Sequence, residues 1–221
     1  MERGKGARTR SQVLDIAAEI ATEQGLGPLS LGRLAAGAGL SKSGVFAHFG
    51  SKEELQLATV RAAAREFEER VVAATEEAEP GLARLRALVE AWIDHVERAP
   101  RRGGCFFFAT SAEYAGRTGR VRDALALATG AWLRLLEREA RTAVRTGELD
   151  ARPELLAFRL HAYVQEANWQ RQLLGAPDAF DRARDAVRAA LAEAGAPPPR
   201  SARPRRRSAA RSAATRSGRT S

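Results

Sequence analysis

The sequence predicts an all-α fold, on three observations. Alanine, leucine, arginine and glutamate dominate the composition, and all four are good helix formers. Apolar residues recur at helical spacing, as in Val13, Ile16, Ala17, Ile20 and Ala21, while extended alternation of β-branched residues is absent. Serine caps and glycine or proline breaks then divide the chain into helix-sized pieces. At 221 residues it is long enough to bury a real core in one or two domains.

The first helix carries the Val13 to Ala21 stripe and closes near Gly25. Arg3, Lys5, Arg8 and Arg10 precede it, as an arm able to follow phosphates or enter a minor groove. Ser30 then offers its hydroxyl to an orphan amide of a helix opening at Leu31, whose inward face adds Leu34 and Ala35. Gly37 and Gly39 break that pattern and allow a tight turn, which Leu40 plugs. Ser41 caps the next short helix, and Val45 with Phe49 holds it against its predecessor as an i, i+4 pair.

The opposite face of that helix is free and carries Lys42, Ser43, Phe46 and Ala47. Such a unit reads as a helix-turn-helix, which lays its second helix in the major groove with residues near its start on base edges. Gly44 inside the helix costs about 1 kcal/mol against alanine. Close approach to another backbone, DNA included, is one reason to tolerate it. Taken alone, the spacing also fits an ordinary helical hairpin with surface lysines.

A further helix starts at once, where Ser51 and Glu54 spell a capping box ahead of Leu55. Lys52 in its first turn is electrostatically misplaced, and a phosphate bound there removes the anomaly. Base reading falls to Lys42, Ser43 and Ala47: lysine donates to guanine, serine is versatile, and a small methyl meets thymine. Lys5, Arg8, Arg10, Ser30, Arg33, Ser41, Phe46, His48 and Lys52 are assigned to phosphates or to support of the reading helix.

From about Arg8 to Leu57 the chain closely resembles the amino-terminal domain of the TetR family of bacterial transcriptional regulators. The likeness rests on the first stripe, Gly25, the helix-turn-helix and the run FAHFGSKEEL, in which His48, Phe49, Lys52, Glu53 and Leu55 match as they stand. The family usually has tyrosine where this chain has Phe46, so a hydroxyl that often reaches the DNA backbone is missing. Gly103 to Leu125, GGCFFFATSAEYAGRTGRVRDAL, looks like a version common among actinobacterial members. The resemblance implies a homodimer in which each subunit presents one reading head and the remainder responds to a ligand.

Beyond the head, the fourth helix is expected to continue through Val60, Ala64, Phe67 and Val71 and to end before Pro80. A fifth spans about Gly81 to Glu97, with Leu85, Leu88, Val89, Trp92 and Val96 on one face. Pro100 and the Arg101 to Gly104 stretch interrupt it. Cys105 to Ala109 suits a short buried helix or turn; CFFF alone fits a strand equally, and the helical neighbours and the resemblance decide for helix. After a loop at Arg117 to Gly119, a long helix from about Val121 to Thr146 turns Leu125, Ala128, Trp132, Leu135, Leu136 and Ala143 inward. Pro153 suits the first turn of the next helix, with Leu156, Leu160, Tyr163, Val164 and Ala167 on it. Gly175 and Pro177 precede a last helix from about Ala179 to Ala194.

By resemblance the last two helices form the dimer seam, through Tyr163, Phe180, Ala183, Val187 and Leu191. Trp92, His95, Phe106, Phe107, Phe108, Tyr114, Trp132, His161 and Trp169 are the candidate lining of a pocket for a small apolar or aromatic effector. Each of them alone also suits an ordinary core.

The net charge of +9 does not by itself mark a DNA-binding surface. Residues 1–55 carry +1, residues 56–199 carry zero, and the last 22 residues carry +8 on eight arginines. That tail lacks apolar periodicity and reads as disordered, either attracting DNA non-specifically or serving as a solubilising extension. The basic start lacks an apolar run, no stretch is apolar enough to span a membrane, and Cys105 has no internal partner, so a cytoplasmic protein is expected. His48, His95 and His161 show no metal-ligand spacing and GAGLSK fails the phosphate-loop patterns, so neither enzyme, metal nor cofactor is expected.

The full expectation is a three-helix DNA-binding head with a helix-turn-helix, at residues 1–55, joined to a larger helical ligand-binding and dimerisation domain at 56–196, with a basic tail at 197–221. Its function is that of a ligand-responsive transcriptional regulator, a repressor, binding a palindromic double-stranded operator as a homodimer. A helical protein-interaction or scaffolding protein without sequence-specific DNA binding is the alternative.

Overall fold

In the computed structural model the described residues, 2–98 and 103–195, form helices joined by short turns, with an isolated bridge between Leu149 and Gly195. The side chains of residues 2–5, residues 99–102 and the whole basic tail lie outside this description. The expectations for Pro100, for the Lys5 side chain and for residues 197–221 fall there.

Helix α1 runs Glu2–Gln24, so the basic approach is helical from its start rather than an arm ahead of a helix. Arg8 and Arg10 therefore sit on α1, with the Arg10 guanidinium 5.0 Å from the centre of the Phe49 ring. Helices α2, Leu31–Ala38, and α3, Lys42–Phe49, make the predicted pair. Gly39 ends α2 at φ +65°, a left-handed turn that lets the Leu40 amide return to the Ala35 carbonyl at 2.8 Å. Leu34, Val45 and Phe49 close this unit against Val13, Ala17 and Ala21 of α1.

Helix α4, Lys52–Phe67, opens at Ser51, whose hydroxyl accepts the Glu54 amide at 3.1 Å. The expected capping box is one-sided, because the Glu54 carboxylate turns instead to Arg120 at 2.7 Å. Nor does α4 continue evenly to Val71. It passes into a π turn at Glu68–Val72 and a tight turn at Ala73–Thr75. Helices α5, Leu82–Glu97, α6, Phe106–Tyr114, α7, Arg120–Arg145, α8, Pro153–Leu174, and α9, Ala179–Glu193, follow. The CFFF run is thus helical from Phe106 onward.

Two apolar clusters hold the fold. One joins α1 to α4 with Phe106 and Tyr114 of α6 and Val121 and Leu125 of α7, so the head core continues past residue 55. The other joins α5, α7, α8 and α9 around Trp92, Leu136 and Leu160. A fully buried leucine in either contributes about 1.5–3 kcal/mol. Phe107 packs against both.

Four of the residues expected at the subunit seam face inward. Phe180, Ala183, Val187 and Leu191 are at most 7% exposed and belong to the second cluster. Among the described residues the apolar stripe of α9 packs against α8 and α5 of the same chain.

Candidate nucleic-acid interface and effector cavity

On α3 the exposed side chains are Lys42, Ser43, Phe46 and Ala47, while Val45 and Phe49 are buried behind them. Ser41 fixes the helix start by accepting the Gly44 amide at 3.0 Å, and Ser30 does the same for Arg33 at 3.2 Å. A Cβ at position 44 would stand 3.2 Å from Ser41 Oγ, so the cap itself favours glycine there, without recourse to DNA. Arg8, Arg33 and Lys42 make no ion pair among the described residues, so these cations remain open to an outside anion. His48 is half-buried, with its ring edge-on to Phe49. The Lys52 ammonium donates to the Gly27 carbonyl, so the fold supplies a partner for the charge that looked misplaced in the sequence.

The head is tied to the body at that same loop. Glu113 of α6 accepts hydrogen bonds from the Leu26 and Gly27 amides, and Gln56 donates to the Leu26 carbonyl at 2.7 Å. Gly103 lies against the Thr22 carbonyl so closely that any side chain there would collide with the end of α1. Arg120 pairs with Glu53 at 3.1 Å and Glu54 at 2.7 Å, linking the start of α7 to that of α4.

Within the body lies a cavity of about 180 Å³. Phe67, Trp92, Phe107, Trp132 and His161 form its aromatic walls. Phe67 meets Trp132 edge-on at 5.0 Å, Trp92 meets Trp132 at 5.3 Å, and His161 stacks on Trp92 at 5.2 Å. Val72, Leu135 and the alanines 64, 128 and 131 fill the spaces between them. The polar contributors are Glu68, Cys105, Thr129 and Gln165.

Thr129 Oγ1, Trp132 Nε1 and Gln165 Oε1 are buried without a hydrogen-bond partner. Each such group costs about 1–3 kcal/mol, which a ligand or water bearing matching groups would offset. Burial pushes the His161 imidazole below its ordinary value and so keeps it neutral, and pushes the Cys105 thiol up, which keeps it protonated.

A model of bacterial regulatory proteins of the tetR family matches residues 13–59, and a model of the tetracyclin repressor-like C-terminal domain matches residues 81–187. The chain belongs to the TetR family. Solved structures of the same fold include a TetR transcriptional regulator from Chloroflexus aurantiacus, 23% identical, covering 87% of this chain and 98% of that one with a TM-score of 0.78. AibR, solved with isovaleryl coenzyme A and operator DNA, is 22% identical over 85% of this chain and 98% of its own, with a TM-score of 0.67. A putative regulator from Saccharomonospora viridis, solved with choline, is 21% identical over 86% and 99%, with a TM-score of 0.73. No curated protein matches the chain. The model that matches residues 13–59 is one of bacterial regulatory proteins. No described helix is long and apolar enough to cross a membrane.

In this TetR-family body four of the nine aromatic candidates, Trp92, Phe107, Trp132 and His161, border the cavity. His95 stands behind it, edge-on to Phe67 at 5.6 Å. Phe106 and Tyr114 lie in the head cluster, Phe108 packs on the body core away from the cavity, and Trp169 is 40% exposed on α8. The lining residues the sequence did not mark as such include Phe67, Glu68, Val72, Thr129 and Gln165. Phe67 was legible only as one more apolar position on α4, and nothing in the pattern announces the π turn that sets Glu68 and Val72 at the cavity. Of the five residues expected at the subunit seam, Tyr163 alone keeps partial exposure, with its hydroxyl taking the Arg159 guanidinium at 3.3 Å.

Proposed function

We propose that this TetR-family regulator is a repressor that binds a palindromic operator as a homodimer and lets go when a small effector fills the cavity. The observation that carries the reading is α6: Phe107 in its first turn borders the cavity, and Glu113 in its last turn holds the loop in front of α2. A ligand that favours one position of α6 thereby favours one position of the head, which is differential affinity for two states.

In the complex Lys42, Ser43 and Ala47 meet base edges, and Arg8, Arg33 and the helix caps at Ser30 and Ser41 position the phosphates. Residues 1–55 serve as the reading head and 56–196 as the regulatory and dimerisation part. The second subunit docks on the outer face of α8, where Leu155, Phe158, Trp169 and Leu173 are between 40% and 70% exposed. That stripe has no partner among the described residues, and burying it offsets the cost of exposing large apolar groups. AibR with its coenzyme A ester and operator, and the choline-bound relative, support an organic effector in this fold.

Selection of bound duplexes from a random pool tests the proposal. A palindrome with half-sites about one helical turn, roughly 34 Å, or a multiple apart is expected. Recovery of no preferred sequence, with no binding to random duplex at low salt, would replace the reading with one of protein–protein interaction.

A further inference from the structure

We infer that the cavity takes a small organic cation, an ammonium ion on an apolar body that also carries one oxygen acceptor. This rests on the effector reading above and narrows it to a ligand class.

Charge is the first argument. Among the described residues the one formally charged lining group is Glu68, exposed at the rim, and it makes no ion pair there. Among the described residues neither lysine nor arginine borders the space. An anionic ligand would therefore lose its hydration with no cation to replace it, whereas an ammonium gains a carboxylate. His161, held neutral by burial, adds no positive charge.

The walls and the unpartnered atoms point the same way. Phe67, Trp92, Phe107 and Trp132 carry negative potential on their ring faces, which attracts cations most strongly where water is excluded. Gln165 Oε1 is a buried acceptor without a donor, which an ammonium N–H supplies. Trp132 Nε1 is a buried donor without an acceptor, which a hydroxyl or ether oxygen on the same molecule supplies. The volume of about 180 Å³ admits a body the size of one ring with a short polar arm.

Three compounds of nearly one shape separate these contributions: phenylethanolamine as the cation, phenylethanediol as its neutral counterpart, and mandelate as the anion. Calorimetric titration of the full-length protein should show the cation binding about tenfold more tightly than the diol, with mandelate weakest. Glu68→Gln should reduce the preference for the cation and leave affinity for the diol unchanged; the position is exposed, and an unaltered melting temperature confirms that the fold is kept. Trp132→Phe should weaken both the cation and the diol. Equal or tighter binding of the diol or mandelate overturns the inference, as does silence from all three compounds or an intact cation preference in Glu68→Gln. The effector reading fails by a different route. If a compound that demonstrably binds leaves affinity for the selected operator untouched, it is the repressor reading that falls, while the cation site stands.

Discussion

The Glu113 carboxylate on α6 accepts the Gly27 amide of the α1–α2 loop at 2.9 Å, and its other oxygen accepts the Leu26 amide at 2.6 Å. Six residues separate Glu113 from Phe107, about 9 Å along a helix. A single rigid nine-residue helix thus reaches from the cavity wall to the loop that leads into α2.

Glu113→Ala removes the acceptor of two amides in a site whose carboxylate is only 17% exposed. Hydrogen bonds to charged groups are worth about 1.5–3 kcal/mol, so chemical denaturation should show a loss of about that size. The more telling expectation is loss of coupling: operator affinity should become insensitive to an effector that still binds. Retained coupling would remove α6 from the signalling route.

How much of this was legible in the sequence depends on what each element does. Ser30, Ser41 and Ser51 announced their caps because a side-chain oxygen ahead of an apolar run has a local job, and all three accept the expected amide. The Glu54 half of the capping box failed because Arg120, 66 residues away, competes for the same carboxylate. Lys52 likewise meets a partner distant in sequence, the Gly27 carbonyl. The aromatic candidates divided between cavity and core because helical spacing gives the face of a helix, not which neighbour covers it. On α9 the apolar stripe was legible as a stripe, but its spacing could not show that α5 and α8 pack on it.

At the reading surface, Lys42→Ala and Arg33→Ala should act differently. Loss of Lys42 from the exposed start of α3 should relax preference at one base pair by about 1–3 kcal/mol. Loss of Arg33 should weaken every duplex alike and reduce the salt slope by about one. Competition titrations over a set of single-base operator variants, at two salt concentrations, distinguish them. A shifted base preference in Arg33→Ala would reverse the assignment.

Phe158 and Phe180 offer a matched test of where the subunits meet. Phe158 is 70% exposed on α8 and Phe180 is 2% exposed on α9. Phe158→Asp should therefore give a folded monomer by light scattering, with helicity and monomer core intact. Phe180→Asp places a charge in a buried apolar site and should lower stability by about 3 kcal/mol or more, whatever the oligomeric state. Dimers that persist in Phe158→Asp would move the seam off this face of α8.

The stacked pair Trp92 and His161 predicts a pH response. Burial lowers the folded-state pKa of His161 below its ordinary value near 6.5, while the unfolded chain keeps that ordinary value. Between the two values the unfolded state binds more protons, so stability is complete above about 6.5 and falls as the pH drops through and below it. His161→Gln retains a polar group beside Gln165, whose side chain lies 3.4 Å from His161 Nε2, and removes the titration. Denaturant melts of both proteins across this range should therefore diverge, with the variant losing less stability on acidification by a slope approaching one proton. Parallel curves would mean that the imidazole is protonated as readily in the folded protein as outside it, and that the cavity wall beside Trp92 is wet.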